Sequence, residues 1–134
     1  MPACQVSNEA ASDPEDAFPN FLGYADEKGL GAGDGFNANY PMGPGTLFSN
    51  WRVALEDALL KIESFDPPRL VVSLGVDTFE NDPISFFKLK TEDYLTTGCL
   101  IAGLGLPTLF VMEGGYDIDE VGLNTANVLI GFEK

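Results

Sequence analysis

No histidine occurs in this chain of 134 residues, and that absence removes the commonest zinc ligand and the commonest general base from anything the chain does alone. Cysteine is nearly as scarce. Cys4 and Cys99 are the only two, far apart and without metal-ligand spacing, which excludes a disulfide scaffold and a zinc knuckle and makes a reducing, cytoplasmic setting the default expectation. Basic residues are few. Seven Lys and Arg stand against 21 Asp and Glu, a formal net charge of -14, so the field opposes nucleic acid and anionic lipid, both of which need Lys and Arg. Long apolar runs are missing too. No stretch approaches the roughly 20 residues needed to span a bilayer, and the N-terminus carries no basic stretch followed by an apolar core.

What is present belongs to a folded chain. Hydrophobic residues make up 45% of the sequence, too many for a disordered chain, and this length suits one domain with a real core. Met1 to Asp16 mixes small, acidic and turn-forming residues without a period, so residues 1–17 read as a flexible tail and 18–134 as the domain. Phe18 to Tyr24 reads as a loop with aromatic anchors. The Gly31-x-Gly33 spacing lacks the preceding strand of a phosphate loop and is followed by the negative charge of Asp34, so a phosphate site is not expected there.

From Phe36 the pattern alternates. Phe36 to Tyr40 suits a short strand; Phe48, Trp51, Leu55, Ala58, Leu59 and Ile62 trace one face of a helix starting near Thr46 or Ser49 and ended by Pro67-Pro68. Leu70 to Leu74 is a continuous apolar run, predicted to be a strand covered on both faces. Thr91 is placed to cap a second helix whose apolar face includes Leu95, Ile101 and Ala102, with Gly105 as its stop. Thr108 to Met112 is the next buried strand and Val121 to Phe132 a closing helix. Strand, helix, strand, helix, strand, helix predicts an α/β fold with a parallel sheet flanked by helices.

In such sheets ligands collect beyond the carboxyl ends of the strands, which singles out Asp77, after the first buried run, and Tyr116, after Gly114-Gly115 beyond the second. Asp77 fits either an oxygen ligand for a divalent metal or a turn-closing acceptor of backbone amides. Tyr116 fits either a phenol donating to a developing oxyanion or a ring covering the end of the sheet. Asp82 and Glu113 are either acceptors supporting these two or carboxylates of the kind that only cap helices or meet water. The acidic balance fits a solubilising surface first, and a cationic ligand such as a polyamine second.

These segments, taken together, resemble a family. The ordered strings Phe18-Pro19, Leu22-Gly23-Tyr24-Ala25-Asp26-Glu27, Gly31-Ala32-Gly33, Gly35-Phe36-Asn37, Val72 to Phe79 with Asp82-Pro83, and Leu109 to Tyr116 resemble the acetylpolyamine amidohydrolases of the wider histone deacetylase family, from about residue 18 to the end. The resemblance implies a zinc-dependent hydrolase of acetylamides and part of the arginase/deacetylase-type α/β sheet, without its N-terminal half. It implies that Asp77 matches a zinc ligand and Tyr116 the oxyanion donor; Asp82, Glu113, Gly114 and Gly115 are read as supporting them from their place in the two turns. The same resemblance marks a departure. The family's Asp-x-His zinc ligands and its His-His pair have no counterpart here, and where relatives commonly show His-Gly-Asp-Pro this chain reads Ala11-Ser12-Asp13-Pro14. The expectation is a chain inactive in isolation, with no zinc at the ancestral site. Unpaired central strands predict association, with a dimer of this chain favoured or a complementing N-terminal half as partner. The alternative is a non-catalytic oligomeric binding or scaffold protein.

Overall fold

The structure is a computed structural model and describes residues 23–134. The expected tail at 1–17 and the first part of the aromatic loop lie outside the described residues. Among the described residues five elements follow a 3-10 turn at Gly31–Gly33: α1 (Phe48–Phe65), β1 (Leu70–Leu74), α2 (Thr91–Ala102), β2 (Thr108–Met112) and α3 (Val121–Phe132). β1 and β2 pair in parallel, Leu70 opposite Thr108 through Leu74 opposite Met112, which is possible because α2 carries the chain back between them.

α1 buries the stripe its periodicity predicts: Trp51, Ala58, Leu59 and Ile62 are all inside. It ends where Asp66 turns into the left-handed region at φ 52°, its N–H donating to the Ile62 and Glu63 carbonyls ahead of Pro67. Leu59, Ile62 and Ile101 form one apolar cluster on which Leu70, Val72, Phe110 and Phe132 pack; a second gathers Trp51, Leu74, Val76, Phe79, Phe87, Leu89, Tyr94 and Val128. α2 and α3 cross closely because Gly98 and Gly131 lack side chains there. A Cβ on Gly98 would overlap the Val128 carbonyl, and one on Gly131 would overlap the Leu95 carbonyl.

Three expectations are corrected. Residues 36–40 are not a strand. The alternation there serves local bonds instead: the Asn37 amide donates to the Glu27 carbonyl at 2.6 Å, the Asn39 amide to the Tyr24 carbonyl at 3.0 Å, and the Tyr40 hydroxyl to Asp57 Oδ2 at 2.7 Å, while Phe36 stacks edge-on against Phe65. The strands are covered on one face only, since Val71, Ser73, Leu109 and Val111 are exposed while Leu70, Val72 and Phe110 meet the helices. Thr91 opens α2 as its first residue and is not its cap; Asp93 closes that end by accepting the Lys90 N–H at 2.7 Å.

Candidate active site beyond the strand ends

The ladder continues past the last paired residues. The Glu113 N–H donates to the Leu74 carbonyl at 2.9 Å and the Val76 N–H to the Gly114 carbonyl at 2.8 Å, so the segments leading to Asp77 and Tyr116 run side by side off the same end of the sheet. That juxtaposition is the one predicted from two parallel strands with their carboxyl ends together.

Asp77 is half-buried, and its carboxylate occupies space that two glycines leave open. A Cβ placed on Gly114 would overlap Asp77 Oδ2 and lie 2.7 Å from its Cγ; one on Gly75 would lie 2.9 Å from Oδ1. The side chain therefore lies directly against the backbone of the other strand's loop. Gly115 has φ +148°, and a Cβ there would meet Val76 and Val121 methyls at 2.8 Å, so the tight bend before Tyr116 depends on its bare backbone.

Asp82 is buried at 6% exposure and accepts three backbone N–H groups: Oδ2 takes those of Tyr116 at 2.7 Å and Asp117 at 3.1 Å, and Oδ1 takes that of Ile84 at 3.1 Å. The Tyr116 loop is held from the other side as well. Asp117 Oδ1 accepts the N–H groups of Asp119 and Glu120, both at 3.1 Å, at the start of α3. The Tyr116 side chain, 54% exposed, is left facing solvent from an anchored backbone, and Glu113 is exposed.

One residue of this region carries no signal as a site residue in the sequence. Tyr94, on the buried face of α2, donates its hydroxyl to the Val76 carbonyl at 3.0 Å and lies 3.0 Å from Thr78 Oγ1, so a single phenol secures the residues on both sides of Asp77. Burial raises its pKa above the ordinary value of 10.0; the Thr78 bond opposes the shift, and the charges of Asp77, Asp82 and Asp93 add to it. Its spacing to Thr97 and Ile101 marks a core position, but nothing in the sequence ties it to Asp77. An apolar groove along β1, between α1 and α2, reaches Gly75 and Thr78 from behind; neither Asp77 nor Tyr116 lines it.

The zinc that the family resemblance implies does not find a complete site here. Among the described residues no group of three or more His, Cys, Asp or Glu side chains is gathered so as to hold a metal ion, and a catalytic zinc needs about three protein ligands. The described residues offer Asp77 as one carboxylate, and no step through a metal follows from them. Among the described residues no helix is long and apolar enough to cross a membrane.

Comparison with known proteins agrees with the geometry. The chain is 62% identical over 119 residues to the acetylpolyamine amidohydrolase of Mycoplana ramosa, covering 89% of this chain and 35% of that protein. It is 54% identical over 121 residues to acetylpolyamine amidohydrolase 1 of Pseudomonas aeruginosa, covering 90% and 35%. The crystal structure of acetylpolyamine aminohydrolase from Burkholderia pseudomallei superposes with a TM-score of 0.89 at 37% identity, over 96% of this chain and 37% of that one. The chain thus spans about 35% of the length of these curated relatives, and the two-stranded sheet with its three helices is part of a deacetylase fold. With the histone deacetylase domain model matching residues 9–131, the chain belongs to the histone deacetylase family.

Proposed function

We propose that this chain supplies the Asp77 and Tyr116 portion of an acetylpolyamine amidohydrolase centre, whose remaining groups lie outside it. The reaction adds water across an acetylamide and releases acetate and a free amine. Tyr116 is the donor to the acetyl carbonyl oxygen as negative charge grows on it, a role favoured by a fixed backbone and an accessible hydroxyl. Asp77 would be one oxygen ligand of a metal completed by groups outside the described residues, with Gly75 and Gly114 leaving room for its carboxylate. The observation that carries this reading is the contact of the Asp77 carboxylate with the Gly114 backbone, two residues before Tyr116, at the end of the paired strands.

No imidazole of this chain can accept the proton of the attacking water, so hydrolysis by the chain alone is not expected. The test mixes the chain, in zinc-containing buffer, with the separately produced N-terminal remainder of a matching deacetylase domain and follows release of acetate from acetylputrescine. Hydrolysis above the sum of the separate halves, lost in Tyr116→Phe, supports the proposal; none above that sum rejects it.

A second reading is favoured by the open sheet face. Val71 is 63% exposed, Leu109 59% and Val111 40%, an apolar strip of the kind that pairs with another copy or chain. In this reading the protein is a non-catalytic oligomer, a dimer in the simplest case, whose acidic surface attracts polyamine-like cations. Light scattering that gives a monomer mass over a wide concentration range rejects the dimer. Calorimetry without zinc that detects spermidine binding unaffected by Asp77→Ala favours this reading over the enzymatic one.

A further inference from the structure

We infer that Asp82 is the positioning residue for Tyr116: one buried carboxylate joins the loop after β1 to the loop after β2 and fixes the backbone from which the phenol projects. The catalytic meaning of that role rests on the proposed function above, but the mechanical role stands on geometry alone.

Asp82 is separated from Tyr116 by 34 positions in sequence, yet its Oδ2 accepts both Tyr116 and Asp117 N–H groups while Oδ1 stays within its own loop on Ile84. Its own N–H donates to the Phe79 carbonyl at 3.1 Å, which ties its backbone to the segment that follows Asp77. An ionised carboxylate accepting backbone amides makes stronger bonds than a neutral acceptor, and at 6% exposure little water competes for them. The bend it holds contains Gly114 and Gly115, residues that impose little conformational restraint of their own. Without Asp82 the loop would keep its anchor at Asp117 and α3 but lose the bonds nearest the tyrosine. A phenol that must meet one oxygen to stabilise its charge tolerates little misplacement, so a restraint on its backbone is a restraint on the reaction.

The experiment uses the isotopically labelled chain and reads amide hydrogen exchange at Tyr116 and Asp117 in Asp82→Asn and Asp82→Ala. The Val76 and Glu113 amides, bonded across the strand ends, serve as internal references. Exchange at Tyr116 and Asp117 is expected to accelerate on the order of tenfold in Asp82→Asn and further in Asp82→Ala, with Val76 and Glu113 unchanged. Unchanged exchange at Tyr116, or an equal acceleration at all four amides, overturns the inference. If Asp82→Ala does not fold, Asp82→Asn decides.

A second arm uses the complemented hydrolysis assay. Asp82→Asn should lower kcat with KM unchanged, and its loss should not add to that of Tyr116→Phe; additive losses overturn the coupling. Should the complemented mixture prove inactive, the proposed function falls while the exchange measurement still decides what Asp82 holds.

Discussion

Gly98→Ala puts a methyl group where α2 and α3 touch. On its own helix the change is favourable, because alanine exceeds glycine in helix propensity by about 0.8–1 kcal/mol. The new Cβ, however, would overlap the Val128 carbonyl oxygen and lie 2.8 Å from the Phe132 nitrogen. Both are backbone atoms of α3, so no rotamer change relieves the clash and the helices must separate. Overpacking costs about 1–3 kcal/mol, and a rigid backbone neighbour places this site at the upper end, leaving a net loss of about 2 kcal/mol. For a domain of this size each kcal/mol moves the midpoint by about 4 °C, so thermal unfolding followed by far-UV circular dichroism should show Tm falling by about 8 °C. Gly122→Ala is the matched control. It lies on α3 with open space where the new methyl would sit, and should raise Tm by about 2–4 °C. If Gly98→Ala raises Tm as Gly122→Ala does, the close crossing is not what the glycine is for.

Tyr94→Phe removes the hydroxyl shared by Val76 and Thr78 and should destabilise the chain by about 1–2 kcal/mol in urea unfolding. Because burial raises the Tyr94 pKa above its ordinary 10.0, the folded state holds that proton where the unfolded state releases it. Its stabilising contribution is therefore whole below about pH 10 and declines as pH rises above it, a decline that pH-dependent unfolding should find reduced in Tyr94→Phe. Gly114→Ala should displace the Asp77 carboxylate at a cost of about 1–3 kcal/mol, with amide shift changes concentrated at residues 75–78 and 113–116 in heteronuclear spectra. Asn124 is 1% exposed, and its Oδ1 has no hydrogen-bond partner among the described residues, so Asn124→Leu should stabilise the chain by about 1–3 kcal/mol; a fall in Tm would contradict that account.

The elements with a strong period were legible in the sequence. β1, β2 and α3 have the predicted bounds, and α1 buries the predicted stripe, because apolar spacing and Pro or Gly punctuation act locally. Phe36 to Tyr40 misled because alternation does not distinguish a strand from a loop whose Asn side chains reach back to nearby carbonyls. The uncovered strand faces do not show in the apolar run itself, since Val71 and Leu109 are apolar on an open face; they follow from the resemblance to a family whose N-terminal half has no counterpart in this chain. At the site, the strand rule found where Asp77 and Tyr116 stand, but the Asp82 bonds span more than 30 positions and the Tyr94 bond depends on which way a core phenol turns. Neither leaves a local pattern.

The open sheet face gives the charge of the chain a kinetic meaning. Two copies approaching through Val71, Leu109 and Val111 each carry a formal charge of -14, so long-range repulsion acts before any apolar surface is buried. That repulsion fades as salt shortens the Debye length from about 10 Å at 0.1 M to about 3 Å at 1 M, whereas apolar attraction does not. If the proposed dimer forms through this face, ionic strength becomes a throttle on its encounter, slow in dilute buffer and faster in concentrated salt.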